Sequence, residues 1–254
     1  MSNYNRLLNN LEALKLDKMR GFLPGYLDAV SGQEITLTDA LLELTSKELE
    51  FRNERASKIQ IHVAGFPFEK GLSDFDFDFQ PSVNKAQIYD LATLRFMENK
   101  ENILFYGSPG VGKTHLSVAL GVEAASKRHI TYFISCHDLI TQLRKAHAEN
   151  LLEAKLKHFA KYKLLIIDEI GYLPVDKQGA NLFFQLIAKR YEKFSTIITT
   201  NQPFSKWAEI FSDPTLANAI LDRLLHHSHI IKITGPSYRL RDKMDALEAK
   251  AKSA

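Results

Sequence analysis

The sequence has a single cysteine, Cys136, a single tryptophan and a net charge of only +3 in 254 residues. One cysteine excludes an intramolecular disulfide and a cysteine-rich metal site, and it is typical of proteins in a reducing compartment. No apolar run reaches the ~18–20 uncharged residues that a membrane helix needs, and the N-terminal segment lacks the apolar core of a signal peptide. We therefore expect a cytoplasmic protein without a membrane partner. Because the net charge is small, a nucleic-acid surface would have to come from local clusters of Lys and Arg.

The first quarter of the chain has the spacing of an all-helical domain. Apolar residues recur at helical intervals between residue 4 and about residue 61. Within this stretch, the element at residues 19–27 is expected to be broken by Pro24 and its neighbouring glycines. We predict a small helical N-terminal domain over residues 1–66 that binds DNA or a partner protein.

The remainder of the chain does not keep this helical spacing and contains strands that alternate with helices. Residues 67–81 carry helix breakers and the run FDFDF, which predicts a linker or docking arm. We then predict a helix over residues 82–98, followed by strands separated by helices. The predicted strands are at about residues 103–107, 130–135, 163–168, 195–200 and 229–233. Short apolar strands alternating with helices indicate an α/β domain over residues 82–254, with a five-stranded parallel sheet covered by helices on both faces.

A glycine-rich segment, GSPGVGKT, follows the first predicted strand and opens the next helix. This is the context of a Walker A P-loop, in which backbone N–H groups surround phosphate oxygens. The Lys113 side chain would reach the β- and γ-phosphates of ATP, and the Thr114 hydroxyl would bind Mg²⁺. A glycine turn that arises by chance is the alternative. The predicted nucleotide-binding residues are Gly107, Ser108, Pro109, Gly110, Val111, Gly112, Lys113 and Thr114.

Two later strands end in polar side chains that suit ATP hydrolysis. The run LLIIDE ends in Asp168 and Glu169, whose side chains should point to opposite sides of the strand. Asp168 would hold Mg²⁺ with Thr114, and Glu169 would act as the general base for the attacking water. Asn201, after the strand STIITT, could orient that water. The alternatives are a solvated strand end for the two carboxylates and a simple turn for Asn201.

The order of these motifs resembles the AAA+ ATPases, and within them the DnaA/DnaC/IstB branch. The motifs that carry the resemblance are GSPGVGKT, IIDEIGYLP, TTNQPF and AILDRLLHHSHIIKITGPSYR. The closest form is the IstB-type transposition helper, which is encoded beside the transposase of some bacterial insertion sequences. The resemblance covers nearly the whole chain, including the helical N-terminal domain and the FDFDF arm, and implies an AAA+ P-loop core.

The resemblance also implies roles for residues late in the chain. Asn201 matches the sensor-1 position, and Arg223 matches the arginine finger that reaches the γ-phosphate bound by a neighbouring subunit. A homo-oligomer with active sites shared between subunits would follow. A surface ion pair with Asp222 or another neighbouring residue is the alternative for Arg223. Arg239 and Arg241 lie near the sensor-2 position, but the short sequence after them predicts a reduced or absent C-terminal lid, so ordinary surface charge is equally compatible.

Residues 141–163 have six Lys or Arg against two Glu. Composition alone favours a solvated helix face here. In the family that the sequence resembles, an inserted helical element at this position faces DNA. The predicted DNA contacts are Arg144, Lys145, Lys155 and Lys157, and they would bind the phosphate backbone with little sequence specificity. The histidines at positions 226, 227 and 229 form a cluster that could suggest a metal site, but no Cys and no nearby carboxylate pair in the sequence completes one. They are expected to be ordinary surface or interface residues.

Together, these features predict an ATPase that assembles on duplex DNA, bends it, and recruits or activates the transposase encoded by the same element. ATP with Mg²⁺ would favour assembly, and hydrolysis would drive disassembly. A DnaC-type replicative helicase loader shares almost all of these motifs and is the main alternative. A nucleotide-gated DNA-binding module without hydrolysis and a small-metabolite kinase are further alternatives from other functional classes.

Overall fold

The computed structural model describes residues 2–241, and the chain divides after Ile59 into two compact units. The first unit is helical, as predicted. It contains α1 (Asn3–Ala13), α2 (Asp17–Ala29) and most of α3 (Leu37–Val63). The core of this unit consists of Leu11, Met19, Leu23, Tyr26 and Leu44. The side chain of Glu48 accepts hydrogen bonds from the N–H groups of Lys18 and Met19 at the start of α2, at 2.9 and 3.2 Å.

The expected break in the second helix was wrong. The α2 helix continues through Pro24 and both neighbouring glycines. Proline removes one backbone donor and costs helix stability. In this helix, Leu23 and Tyr26 are buried in the core of the unit, so packing on both sides of Pro24 outweighs the local preference.

The second unit begins at Gln60 and contains the sheet. Its strands are β1 (Asn102–Gly107), β2 (Thr131–Ser135), β3 (Leu164–Ile170), β4 (Ser195–Thr200) and β5 (Ser228–Ile233). The strand order is β2-β3-β4-β1-β5, and every pair is parallel. This confirms the predicted five-stranded parallel sheet. The helices are α4 (Lys85–Ala92), α5 (Arg95–Glu98), α6 (Lys113–Ser126), α7 (Cys136–Ala148), α8 (Leu152–Ala160), α9 (Lys177–Arg190), α10 (Trp207–Ile210) and α11 (Pro214–Leu225).

The predicted single helix over residues 82–98 is two helices. Leu94 lies between α4 and α5 with a left-handed φ of +70°. This turn allows Leu91, Leu94 and Phe96 all to be buried in the same apolar cluster. Burial of three large side chains therefore compensates for a strained backbone at a non-glycine residue.

Both faces of the sheet are covered. Leu104, Leu165 and Ile198 face the cluster beneath α7, α9 and α11. Their strand neighbours, including Phe105 and Ile166, face the cluster beneath α4 and α6. Alternate strand residues thus enter two separate apolar layers, which explains why the strands read as continuous hydrophobic runs.

The segment at residues 67–81 packs within the second unit. Leu72 and Phe75 are buried in the cluster beneath α6. The buried Gln80 side chain donates a hydrogen bond from Nε2 to the carbonyl of Pro236 at 2.7 Å. Among residues 2–241, no helix is both long and apolar enough to cross a membrane. The expected reduction of a C-terminal lid concerns residues 242–254, which lie outside the described part of the chain.

Candidate nucleotide-binding site

The P-loop connects β1 to the N-terminus of α6, as the sequence predicts. Gly110 and Gly112 have φ values of +83° and +100°, which favour glycine strongly. Space is also restricted, because a Cβ atom on Gly112 would lie 2.5 Å from the ring of Phe75. A Cβ atom on Gly110 would lie 2.0 Å from the Ser237 hydroxyl oxygen. The backbone of this loop is therefore held tightly between the 67–81 segment and residues near the C-terminus.

Lys113 is the first residue of α6, and its ammonium group points back over the loop. The Nζ atom donates hydrogen bonds to the carbonyls of Gly107 and Ser108, both at 2.7 Å. Burial lowers the pKa of Lys113, and the nearby carboxylate of Asp168 opposes this effect. A partly desolvated cation at a helix N-terminus is stabilised when a phosphate group binds beside it.

Asp168 lies near the end of β3, where it meets hydroxyl groups from two other elements. The Thr114 Oγ1 atom lies 3.1 Å from both carboxylate oxygens. The Thr199 hydroxyl on β4 donates a hydrogen bond to Asp168 Oδ1. Burial raises the pKa of Asp168, although hydrogen bonds from Thr199 and Thr114 and the charge of Lys113 act in the opposite direction. This set of oxygen donors fits a hard divalent cation such as Mg²⁺.

Glu169 has a different environment from Asp168. Its side chain is exposed, whereas that of Asp168 is buried. The backbone at Glu169 is left-handed, with a φ of +63°, and the pairing of β3 with β4 shifts register between Ile167 and Ile170. The Glu169 N–H group donates a hydrogen bond to Thr199 Oγ1 at 2.8 Å. One threonine hydroxyl therefore contacts both acidic residues.

These groups surround a cavity of about 540 Å³, a typical size for a small-molecule site. Its lining includes P-loop residues, the two strand ends and parts of the 67–81 segment. Asn201 also lines it, and the Asn201 Oδ1 atom is buried without a hydrogen-bond partner in the described structure. An unsatisfied buried acceptor at this position indicates a ligand or water as its partner.

One wall of the cavity is aromatic and was not identified from the sequence. The ring of His115 contacts the rings of Phe68 and Phe75 edge-on, with centroid distances of 6.2 and 5.4 Å. A ring nitrogen of His115 lies 3.1 Å from the Gly71 carbonyl. Burial lowers the pKa of His115, which favours a neutral ring. The available signal was the FPFEKG and FDFDF runs, which we interpreted as a docking arm.

The two arginines near the C-terminus separate into different environments. Arg239 lines the cavity. Arg241 forms an ion pair with Asp76 at 2.8 Å and lies over the ring of Phe79 at 5.0 Å. The N–H group of Tyr238 donates a hydrogen bond to the Gly110 carbonyl at 3.0 Å, so this segment lies against the P-loop. Of the two arginines near the sensor-2 position, Arg239 is therefore the one that lines the nucleotide cavity.

Arg223 does not line this cavity. It lies half-buried on α11, where its Nη1 atom donates a hydrogen bond to the Ala219 carbonyl at 2.9 Å. Its guanidinium lies 4.8 Å from the centre of the Phe184 ring. Within residues 2–241 it forms no ion pair, so the expected alternative of a salt bridge with Asp222 is not observed.

The predicted DNA-contact residues are on α7 and α8, and most of them have an acidic partner. Arg144 pairs with Asp176 at 2.5 Å. The other pairs are Lys145 with Glu149 at 4.0 Å and Lys157 with Glu153 at 3.7 Å. Lys155 lies over the Phe159 ring at 5.0 Å. Exposed pairs of this kind contribute little stability, so phosphate groups can compete for these cations.

Comparison with known proteins agrees with this geometry. The family model described as IstB-like ATP binding protein matches residues 9–246. The ATP-binding protein described for insertion sequence IS232 of Bacillus thuringiensis subsp. berliner is 52% identical over 95% of this chain and 96% of its own length. The corresponding IS5376 protein of Geobacillus stearothermophilus is 47% identical over 84% of this chain and 85% of its own length. A solved structure of the DnaC helicase loader is 26% identical, with a TM-score of 0.50, and covers 69% of this chain and 99% of that chain. These likenesses confirm the predicted AAA+ fold.

Proposed function

This chain belongs to the family of IstB-like ATP-binding proteins, and we propose that it is an ATP-hydrolysing transposition helper. In this proposal, the protein assembles on duplex DNA, bends it, and recruits or activates the transposase encoded by the same insertion sequence. Hydrolysis then dismantles the assembly. The observation that carries the proposal is the cavity lined by Lys113, Thr114, Glu169 and Asn201, in a chain whose relatives are insertion-sequence ATP-binding proteins. The buried Asp168 contacts Thr114 at the edge of this cavity.

The phosphates of ATP would lie along residues 107–114. Backbone N–H groups of the loop would bind phosphate oxygens, and Lys113 would leave its carbonyl partners to contact the β- and γ-phosphates. Arg239, which also lines the cavity, would approach the same phosphates. The aromatic wall of Phe68, Phe75 and His115 offers apolar surface for the adenine ring.

Hydrolysis requires a water molecule on the far side of the γ-phosphate. Glu169 would accept a proton from this water, and the free Asn201 Oδ1 atom would accept a hydrogen bond that orients it. Thr114 and Asp168 would hold Mg²⁺, which neutralises phosphate charge when bound. Thr199 would position the Asp168 carboxylate and the Glu169 backbone through its single hydroxyl group.

Arg223 does not line the cavity of its own chain. We place Arg223 in the site of a neighbouring subunit, where its permanent charge and planar fork suit phosphate oxygens. ATP bound between subunits would therefore stabilise the oligomer by mass action. Active sites would be shared around the assembly.

DNA binding is assigned to Arg144, Lys145, Lys155 and Lys157. A second cavity of about 520 Å³ supports a link between DNA and hydrolysis, because both Arg144 and Glu169 line it. A phosphate group that draws Arg144 from Asp176 would change the surroundings of the general base. The helical region at residues 1–66 would contribute further contacts with DNA or the transposase.

The proposal is tested by measuring ATPase rate and sedimentation with Mg²⁺, with and without a non-specific duplex several helical turns long. The proposal predicts large assemblies that form only when both ATP and duplex DNA are present. These assemblies should be lost with Lys113→Ala and should last longer with Glu169→Gln. If the wild-type protein ignores duplex DNA but binds single strands or a replicative helicase, the proposal is wrong and the loader function replaces it. A monomer that ignores both kinds of DNA would also contradict it.

A further inference from the structure

A cluster of three possible metal ligands lies on the surface of the second unit, outside the nucleotide cavity. It consists of Glu192, after α9, and the adjacent His226 and His227, after α11. One ligand atom from each residue can be chosen so that all three lie within 4.8 Å of one another. The sequence shows the two adjacent histidines but not the carboxylate, which comes from a distant turn.

The distances are close to those of a tetrahedral zinc site. Glu192 Oε1 lies 3.9 Å from His226 Nδ1 and 3.8 Å from His227 Nε2. Ligands at the usual zinc bond lengths of about 2.0–2.1 Å are separated by roughly 3.4 Å in a tetrahedron. All three ligand atoms lie within 4.8 Å of one another, so the exposed side chains must move closer together to complete the geometry.

The backbone already holds these residues in place. The His226 N–H group donates a hydrogen bond to the Asp222 carbonyl at 3.1 Å, and the His227 carbonyl accepts one from Asn102 at 2.8 Å. Glu192 has a left-handed φ of +56°. The next N–H group in that turn, of Lys193, donates to the Arg190 carbonyl at 2.9 Å. The side chains of all three residues are exposed and can therefore rotate towards a shared metal ion.

The donor set distinguishes among metals. Two imidazole nitrogens and one carboxylate oxygen suit Zn²⁺ and related transition ions, whereas Mg²⁺ prefers six oxygen ligands. The Tyr191 hydroxyl, 2.6 Å from His226 Nδ1, must release that nitrogen when metal binds. A water molecule would then occupy the fourth position, as in open zinc sites.

We propose that Glu192, His226 and His227 form a surface site for Zn²⁺. The site joins the turn after α9 to the end of α11, the helix that carries Arg223. Binding would cross-link these two elements independently of ATP. The proposal therefore does not rest on hydrolysis, DNA binding or oligomerisation.

The test is calorimetric titration of the full-length protein, free of tags and without nucleotide, with ZnCl₂. We expect one zinc ion per chain, and affinity at least about tenfold lower in His227→Ala and in Glu192→Gln, since each removes a ligand. His137→Ala is the matched control, because His137 is exposed but lies outside the cluster, and it should bind like wild type. An excess of MgCl₂ should not compete.

At the same zinc concentration, zinc should also raise the thermal unfolding midpoint of wild type and of His137→Ala clearly more than that of His227→Ala. The proposal fails if wild type takes up no zinc. It also fails if His227→Ala and Glu192→Gln bind zinc as wild type does, because the ligands would then lie elsewhere. Both variants alter exposed side chains, so loss of folding does not obscure the result.

Discussion

Thr199 contacts two acidic residues of the site through one hydroxyl group. Its hydroxyl donates to Asp168 and accepts from the N–H group of Glu169. A hydroxyl can make both contacts because it has one donor and two acceptor sites. The side chain is buried at the end of a central strand, so its rotation is restricted. We infer that it fixes the relative positions of the proposed cation ligand and the proposed base.

Replacing Thr199 with Val should therefore reduce ATPase turnover by about 10–100-fold, as is usual when the support of a site is removed. Thr199→Ser keeps the hydroxyl and should retain most of the activity. The valine variant also leaves the Glu169 N–H group unpaired, at a cost of roughly 1–3 kcal/mol in stability. Steady-state kinetics would separate the effects, since the loss should be in kcat and not in KM. Equal activity of the Val and Ser variants would contradict this role.

Asp168 should behave as a destabilising charge when no cation is present. Burial raises the pKa of this carboxyl above its ordinary value of 3.8. Because the folded-state pKa is the higher one, the ionised group costs stability above it, and this cost disappears as the pH falls below the ordinary value. Asp168→Asn should thus raise the melting temperature of the nucleotide-free protein at pH 7 by about 1–4 °C.

Thermal unfolding from pH 7 towards pH 3.8 would follow this effect, and the difference between wild type and Asp168→Asn should shrink as the pH falls. Addition of ATP with Mg²⁺ should reverse the order, because the variant lacks a proposed cation ligand. Glu169→Gln is the matched control, since its side chain is exposed. A wild-type protein that is more stable than Asp168→Asn at neutral pH without nucleotide would show that this argument is wrong.

Arg190 joins several elements near the start of β4, at the end of the sheet opposite the P-loop. Its guanidinium is fully buried and donates to the carbonyls of Phe159, Tyr162 and Ser195 at 3.1, 2.7 and 2.5 Å. It also donates to the Thr196 hydroxyl at 3.0 Å. Burial lowers the pKa of Arg190 to about 9, so the group remains a cation at neutral pH. The end of α8 and the start of β4 are therefore connected by one side chain.

Arg190→Met should destabilise the protein by at least about 3 kcal/mol, because several buried carbonyls lose their donor together. Arg190→Lys should recover only part of this loss, since a single ammonium cannot reach all the acceptors of a planar fork. Urea unfolding measures both free energies. A loss below about 1 kcal/mol for the Met variant would mean that water replaces the guanidinium, contrary to this interpretation.

The sequence predicted elements well where local pattern and tertiary packing agree. The P-loop, the strand LLIIDE and the parallel sheet satisfy both, because glycine geometry and apolar runs leave few alternatives. The predicted break at Pro24 and the single helix over 82–98 were wrong, because burial of Leu23 and Leu94 outweighs local preference. The position of His115 beside the P-loop follows from the sequence, but the phenylalanines that contact its ring could not be predicted, since they are far from it in the chain and meet it through tertiary contacts alone.

At the scale of the whole molecule, the proposed arginine finger lies away from the nucleotide cavity of its own chain. The cavity contains Lys113 and Arg239 from the same chain, while Arg223 lies on α11 against Phe184. A head-to-tail arrangement of identical chains would bring Arg223 of one subunit to the phosphates bound by the next. Arg223 should then affect hydrolysis without affecting nucleotide binding to an isolated chain. Lys113 should affect both.

Mixing two inactive chains tests this arrangement. Lys113→Ala removes the phosphate contact of the chain that binds ATP, and Arg223→Ala removes the finger that the neighbour supplies. Neither variant alone should hydrolyse ATP appreciably. In an equal mixture, about a quarter of head-to-tail interfaces should combine an intact Lys113 with an intact Arg223, so part of the wild-type rate should return. The rate should be highest near equal proportions, because that ratio gives most such interfaces.

Mixtures of Lys113→Ala with Glu169→Gln control for general effects of association, since both variants damage the ATP-binding side. No recovery at any ratio of Lys113→Ala to Arg223→Ala would place Arg223 outside the shared site.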